Sequence, residues 1–268
     1  MAIDKIPLAN IRATVEAFFR EVVCPEDSTL AALIDHSLAP AIALLDAWPG
    51  GRPGAFNLLY HLSGAEERVS PLLVELPASP EGQRQAIAYL LKQGNGHPMF
   101  SILASPLTFT QLAAHLAHFT QIRLLPDDQE YLLRFADTRI VPTVVQVLSP
   151  AQRSQMFGPI HFWLYLDREA KWTGIVSEGT TDIADGPLLT LTEAQLDAFE
   201  RATMPDNFIA QLCEEFPEFA ATQPSARHRL VCHWISQADE AAGGRAEPGA
   251  CLATCKENLA AAQSDNIP

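Results

Sequence analysis

Two arginines flank an aspartate in residues 134–139, which we call the Arg-Asp-Arg segment. The segment lies where a mostly apolar predicted strand gives way to a predicted helix. A carboxylate at a helix N-terminus is stabilised by free backbone N–H groups, so we expect Asp137 to cap that helix. Arg134 lies near the end of the strand, and its guanidinium needs a carboxylate or carbonyl partner. We favour a structural Arg134–Asp137 pair that holds the fold, and the alternative is a clamp for an anion or a substrate.

Histidines form a second candidate group. His115 and His118 are three residues apart on a predicted helix that begins at Thr108, so they share a face. A metal site would require at least one further ligand close in space. We therefore interpret both histidines as polar positions on an exposed helix face.

Four residues near the C-terminus form two pairs with helical spacing. Cys251 and Cys255 are four residues apart on one predicted helix, and His228 and Cys232 are four apart on the preceding one. Two such pairs on antiparallel helices would supply the ligands of a Cys₃His zinc site. The spacing differs from that of structural zinc knuckles, so we favour cysteines packed in a helix–helix interface. We expect neither a metal nor a cofactor.

Several local signatures of enzymes are missing from the sequence. It contains no G-x-S-x-G elbow, no Walker A loop, no G-x-G-x-x-G, no H-E-x-x-H and no C-x-x-C. These absences remove the families whose chemistry can be recognised locally, and we expect a protein that is not an enzyme. Two alternatives stay open: a hydrolase or transferase with a site around Arg134, Asp137 and His161, and a small regulatory protein that binds a peptide or ligand.

The composition limits which partners and which cellular compartment are expected. The 268 residues carry a formal net charge of −14, which disfavours nucleic acid and anionic membranes and favours a basic or neutral partner. No run reaches the ~18 uncharged apolar residues of a membrane span, and no signal peptide is visible. Five scattered cysteines do not form a disulfide framework, so we expect a reducing, cytoplasmic location.

The first two thirds of the chain predict an α/β (α+β) unit, a mixed sheet with flanking helices. We divide it into an N-terminal helix in residues 1–27 and an α/β domain in residues 28–185. Capping patterns at Ser79, Thr108 and Ser149 mark three helix starts. The predicted strands, helices and hairpin cover residues 8–23 (helix), 30–34 (strand or helix), 39–47 (helix), 56–62, 71–76, 99–104 and 130–135 (strands), and 161–166 with 172–177 (hairpin).

The remaining residues, 186–268, predict an all-helical lobe without strands. Thr192 and Gln195 form a further capping box, and the helix that they open is expected to end near residue 203. Pro205 is expected to start a separate helix that ends at residue 216. Two longer helices are predicted over residues 224–242 and 248–262.

An ordered set of short motifs resembles the effector-adaptor chaperone (Tap-type) domain of type VI secretion systems. Residues 132–142 resemble its Leu-Arg-Phe-Tyr-Asp-Pro-Arg signature, which here contains Arg134, Asp137 and Arg139. A Phe-Gly-Pro with Gly158 and Pro159 follows at the family's spacing and precedes an aromatic strand. The resemblance covers residues 30–165 well and the helical tail loosely. The family's Tyr and Pro within the signature are Ala136 and Thr138 here, which puts any contact of the tyrosine ring in doubt.

The resemblance implies a binding protein. Such proteins hold a toxic effector in the bacterial cytoplasm and help to load it onto the trimeric spike of the secretion machine. We expect the effector to dock in a groove between the α/β and helical lobes, with an apolar floor and an acidic rim. Trp163, Tyr165 and Trp172 on the predicted hairpin are candidate partner-binding anchors, and the alternative is that they belong to the core.

Overall fold

The computed structural model describes residues 2–38, 41–59, 70–126 and 128–264. It confirms a mixed α+β architecture with antiparallel sheets, flanking helices and a helical C-terminus. The strands of the described residues are β1 Thr29–Asp35, β2 Ala55–Asn57, β3 Pro71–Glu75, β4 Phe100–Ser105, β5 Gln121–Leu124, β6 Gln129–Leu132, β7 Phe162–Leu166, β8 Trp172–Val176 and β9 Leu189–Leu191. The α-helices are α1 Ile11–Glu21, α2 Ala41–Asp46, α3 Pro80–Gln93, α4 Phe109–His118, α5 Val141–Val147, α6 Pro150–Phe157, α7 Glu193–Glu215, α8 Pro224–Ala241 and α9 Pro248–Ser264.

Six of these strands form one antiparallel sheet in the order β2-β3-β1-β4-β7-β8. Side chains of successive residues alternate between its two faces, as the pleat requires. Leu33 and Trp163 point to the face covered by α4 and its neighbours, whereas Ile34 and Phe162 point to the face covered by α1 and α3. Both faces are buried, which explains why β1 and β4 are mostly apolar on both faces rather than alternating with exposed polar residues.

The predicted helix starts are confirmed by their hydrogen bonds. Ser79 accepts from the backbone N–H of Gly82, and Thr108, Ser149 and Thr192 each form a complete capping box. These side chains satisfy backbone donors that a helix terminus leaves unpaired, so each helix begins where its cap stands. The predicted β7–β8 hairpin is also confirmed, with Trp163 opposite Ile175.

A smaller sheet, β6-β5-β9, corrects two strand predictions. β9 pairs in parallel with β5, so residues 186–268 are not entirely helical. β6 ends at Leu132 and its side chains are exposed, whereas we predicted one apolar strand over residues 130–135. Leu133 and Phe135 are buried without belonging to a strand, because they pack in the core from a turn. Apolar residues alone do not distinguish these two situations.

The helical lobe also differs from the expectation at Pro205. α7 continues through this proline, so the two short helices that we predicted are one. A proline inside a helix removes one backbone hydrogen bond, and the helix persists when tertiary packing compensates for it. Phe208, Ile209 and Leu212 supply that packing in a core shared with α8 and α9.

Two further predictions extend beyond the described residues. The helix predicted over residues 39–47 is observed as α2, and residues 39–40 lie outside the described part. The strand predicted over residues 56–62 is shorter in the structure: β2 ends at Asn57, Leu58 and Leu59 form a turn, and residues 60–62 lie outside the described part.

Candidate functional site

The Arg-Asp-Arg segment forms a turn before α5 and its second arginine is nearly buried. The Arg139 side chain is 8% exposed and donates from Nε and Nη2 to the two carboxylate oxygens of Asp137, at 2.9 and 2.5 Å. Asp137 also accepts from the backbone N–H of Arg139. Asp137 does not cap α5, whose N-cap is Ile140, so that prediction was wrong. The carboxylate instead binds the guanidinium two residues away.

Asp206 of α7 extends this pair across the molecule. Arg168, in the β7–β8 turn, donates to both oxygens of Asp206 at 2.9 and 2.6 Å. Nη1 of Arg139 lies 3.8 Å from the same carboxylate. Three separate elements therefore meet in one charge network, and this network joins the helical lobe to the large sheet. Asp206 and Arg168 were not identified from the sequence, in which neither belongs to a recognisable motif.

The network shifts the pKa values of its members. Burial opposes ionisation of Asp206, but hydrogen bonds and charge from Arg168, with the charge of Arg139, hold its pKa below the usual range. Burial and the charges of Arg168 and Arg139 lower the pKa of His228 on α8 to about 4, against the opposing effect of Asp206. His228 is therefore neutral at physiological pH, and the aspartate is ionised.

A cavity of about 470 Å³ lies beside the network, between the hairpin and α8. We call it the junction cavity. Its walls carry Arg139, Arg168, Glu169, His228 and Arg229. Its walls also include the apolar residues Ile3, Pro142 and Leu166, so the junction cavity combines apolar surface with charged groups. Docking of the effector in a groove between the lobes stays a prediction.

The N-terminal residues add a second contact between the lobes. The buried Asp4 carboxylate accepts from the backbone N–H and the hydroxyl of Ser225, at 2.9 and 2.7 Å, and from Gln223 at 2.8 Å. These groups stand at the start of α8, where a negative charge is favoured. The start of the chain therefore fixes the first turn of α8 on the α/β unit.

Arg134 has a different partner from the one we predicted. It donates from Nη2 to Oδ2 of Asp35 at 2.9 Å and to the Ser37 hydroxyl at 2.5 Å, and its side chain is 55% exposed. The predicted Arg134–Asp137 pair is absent, because Asp137 is held by Arg139. Asp35 lies at the end of β1, and Ser37 also donates to it from its backbone N–H and its hydroxyl.

Arg134 borders a small cleft of about 220 Å³, whose walls are mostly apolar and include Leu59, Leu132 and Leu133. The Arg-Asp-Arg segment thus has one arginine at the surface, beside this cleft, and one inside the molecule, beside the junction cavity.

Gly158 and Pro159 have structural roles. A side chain at Gly158 would collide with the carbonyl oxygen of Ser154. That position therefore requires glycine. The carbonyl of Pro159 accepts from the buried Ser105 hydroxyl at 2.6 Å, and Gly158 accepts from the N–H of Thr180 at 2.7 Å. Together they hold the end of α6 against β4.

The three aromatic candidates lie in two environments. Trp163 is fully buried between Phe135 and Phe157 with edge-to-face contacts, and Tyr165 is 5% exposed. Burial, with the charge of Asp167, raises the pKa of Tyr165 to about 12. These two residues belong to the core. Trp172 is half-buried: it packs on Phe18 and donates from Nε1 to the carbonyl of Thr14 at 3.0 Å.

His115 contradicts the prediction of an exposed helix face. It is fully buried, its Nε2 lies 2.9 Å from the carbonyl of Met156, and its Nδ1 accepts from the N–H of Ala184. This arrangement requires the neutral ring, and burial lowers its pKa. The imidazole is thus a satisfied core group that joins α4 to the chain beyond β8, whereas His118 is half-buried.

The cysteine and histidine pairs on α8 and α9 are close to one another. Cys251 and Cys255 are fully buried in the helical core, and burial, with the neighbouring Cys251 and Cys232, raises the pKa of Cys255 to about 12. His228 lies within 3.8 Å of the Cys232 sulfur. Among the described residues, no group of three or more metal-binding side chains is arranged to hold an ion.

The residues of the alternative enzyme site are separated. Arg134 borders the cleft next to Asp35, Asp137 is engaged by Arg139, and His161 lines a third cavity beside β8. The described residues therefore do not place these three side chains around one cavity.

Comparison with known families matches residues 32–155 to the model of a domain of unknown function (DUF4123). This family is associated with effector adaptors of type VI secretion. The match begins within β1, ends within α6 and includes the Arg-Asp-Arg segment. The β7–β8 hairpin and the helical lobe lie outside it. No curated protein and no solved structure matches the chain. Within the described residues, no helix combines the length and the apolar character needed to cross a bilayer.

Proposed function

We propose that this protein is a cytoplasmic adaptor that binds a toxic type VI secretion effector and helps to load it onto the trimeric spike protein. The match of residues 32–155 carries the proposal, because that family is associated with effector loading. The ordered motifs around Arg134, Asp137 and Arg139 fall within the matched range and support the same assignment.

A binding role agrees with what the side chains of the described residues do. Asp137, Asp206 and Arg168 are engaged in pairs that hold the fold, and His115 is fully hydrogen-bonded. A catalytic group must be accessible to substrate and have its reactive atom available. We therefore propose a protein without enzymatic activity.

The charge of the chain supports a protein client over nucleic acid or membrane. A net charge of −14 repels phosphate and anionic lipid, and it accelerates association with a basic segment. We propose the cognate effector as the first partner and the spike protein as the second.

Co-expression tests the proposal. Each protein encoded beside this gene is produced with and without the adaptor, and the soluble fraction of the candidate effector is measured. We expect solubility to depend on the protein, and a complex of about one to one that survives moderate salt. Purified spike is then added, and capture of the effector should require this protein. An effector that is soluble alone and does not bind would refute the adaptor function.

A matched variant separates the contribution of the helical lobe. Arg168→Ala weakens the contact between the lobes while leaving both lobes in the chain. If the effector used the junction cavity, binding would change with this variant. We expect binding close to that of wild type in a variant that remains folded, because the arginines beside the cavity are engaged with Asp206 in the contact between the lobes.

A further inference from the structure

β8 is an edge strand of the six-stranded sheet and its outer side is unpaired. The N–H of Ser177 bonds to His161, and the N–H of Asp167 bonds to Lys171, which fixes the pairing of the hairpin. Alternate residues of an antiparallel strand bond to its neighbour, so the intervening ones direct their N–H and C=O groups outward. On β8 those residues are Trp172, Gly174 and Val176. No backbone hydrogen bond to these outward groups is present among the described residues.

This edge lacks the usual protection against strand addition. Natural edges are commonly blocked by charged residues, proline or a bulge. The sequence of β8, Trp-Thr-Gly-Ile-Val, contains neither charge nor proline, and its pairing with β7 is regular over five residues. Val176 is 79% exposed. The outer edge of β8 therefore offers both unpaired backbone groups and apolar surface.

A groove of about 410 Å³ runs along the same edge. One wall is the end of α1 and the residues after it, with Val22, Val23 and Pro25, and the floor is formed by Leu164. Val23 is 89% exposed. Gly174 lines the groove between Trp172 and Val176, and the space beside its Cα is filled by Trp163 and Leu164 of β7. An incoming strand can place an apolar side chain in the groove, against Leu164 and Val23.

Charge distinguishes the possible occupants of this edge groove. Glu21 lines it, Glu178 follows β8, and Glu26 and Asp27 follow Pro25. The neighbouring Arg20 is directed back along α1 to the carbonyl of Glu16. A second copy of this chain would bring the same acids to the same place and is disfavoured. An extended segment with apolar residues and flanking lysines or arginines is complementary.

We propose that the effector adds an extended, basic-flanked segment to the outer edge of β8. Its backbone pairs with Trp172, Gly174 and Val176, an apolar side chain lies in the groove against Leu164, and a basic residue contacts Glu21. This mode of binding gives affinity through main-chain hydrogen bonds and specificity through alternate side chains. This inference rests on the proposed adaptor function, and it states where on the adaptor the effector binds.

Exchange of backbone amides tests the pairing directly. The full-length protein is examined by hydrogen exchange with and without the neighbouring effector. The amides of Gly174 and Val176 should exchange freely alone and become protected in the complex. The amides of Thr173 and Ile175, which pair with β7, are the internal control and should change little. A complex that leaves Gly174 and Val176 unprotected overturns the proposal.

Val176→Lys is the matching variant, because a charge on an edge strand blocks strand addition. We expect binding to weaken by about tenfold or more with an unchanged melting temperature. Leu8→Lys is the control, since Leu8 is 68% exposed at the start of the first helical turn and away from β8. Equal affinities of V176K, L8K and wild type refute the edge site while the adaptor function stands. Failure of wild type to bind any neighbouring effector refutes both. A wild-type dimer that V176K dissociates, with effector binding intact, assigns the edge to a second copy.

Discussion

The two arginines of the Arg-Asp-Arg segment are five residues apart and lie in opposite environments. Arg139 is 8% exposed and contacts two aspartates, one of them on α7, whereas Arg134 is 55% exposed and contacts Asp35 and Ser37. At one end of the segment, an arginine therefore stabilises the junction of the two lobes. At the other end, the second arginine stabilises only the terminus of β1.

The difference predicts different costs of removal. A buried carboxylate that loses its arginine retains a charge without compensation, which is far more costly than the loss of a solvent-exposed pair. Asp35, although itself buried, would keep the two hydrogen bonds from Ser37 if Arg134 were removed. Asp137 would keep only the backbone N–H of residue 139. Stability measurements on variants of the two arginines therefore test whether their contributions to folding differ.

The largest expected effect is that of Arg139→Ala. It leaves Asp137 without the guanidinium and removes one of two positive charges from Asp206, so we expect a loss of about 3–5 kcal/mol in the free energy of unfolding. Urea denaturation at neutral pH measures it. Arg139→Lys keeps the charge without the bidentate geometry and should fall between wild type and R139A. An R139A variant that unfolds like wild type would show that the buried network does not stabilise the fold.

The Arg168–Asp206 contact is the next test, because it joins the hairpin to α7. A double-mutant cycle with Arg168→Ala, Asp206→Ala and the double variant isolates its coupling energy. We expect about 2 kcal/mol, as for a hydrogen-bonded, partly buried ion pair. The Arg52–Asp46 pair, exposed on both sides, is the matched control and should couple by well under ~1 kcal/mol. Equal coupling energies in the two cycles would contradict the claim that the Arg168–Asp206 pair stabilises the fold more than an exposed ion pair does.

The third prediction concerns pH. The pKa of His228 is lowered to about 4 by burial and by the arginines of the network, and an unfolded histidine titrates near ~6.5. Between these values unfolding takes up a proton, so this group makes stability fall as the pH decreases from ~6.5 towards 4, with no effect above ~6.5. His115 acts in the same direction, because its pKa is also lowered.

Unfolding curves of wild type and His228→Asn, recorded from about pH 7.5 to about pH 4.5, isolate this contribution. The variant should lose less stability on acidification than wild type does. If the stability of the two proteins fell in parallel, His228 would have an ordinary pKa in the folded state, and its contact with the arginines would not be electrostatically significant.

The sequence predicted the local parts of the fold well. Ser79, Thr108, Ser149 and Thr192 were identified because a capping residue and its target are only three residues apart. The β7–β8 hairpin was found for a similar reason, since its strands are joined by a short turn.

Partners that lie far apart along the chain were not predicted. Arg134 pairs with Asp35, 99 residues away, and Arg168 pairs with Asp206, 38 residues away. A single sequence contains no local signal that selects one carboxylate among many for such contacts. Asp137 was the nearest one to Arg134, and proximity in sequence gave the wrong pair. His115 illustrates the same limit, because its two partners come from other parts of the chain.

The smallest expected effect is that of Arg134→Ala. The guanidinium is more than half exposed, so its ion pair with Asp35 is screened by solvent, and we expect a loss of about 1 kcal/mol or less. Ser37→Ala removes a hydroxyl that donates to Asp35 and accepts from Arg134, so it is the matched control on the same carboxylate. A loss from R134A as large as that from R139A would remove the contrast between the two ends of the segment. A folded R134A that binds the effector like wild type would restrict Arg134 to a structural role, whereas weaker binding at unchanged stability would favour the clamp interpretation and place the cleft beside Arg134 within the client interface.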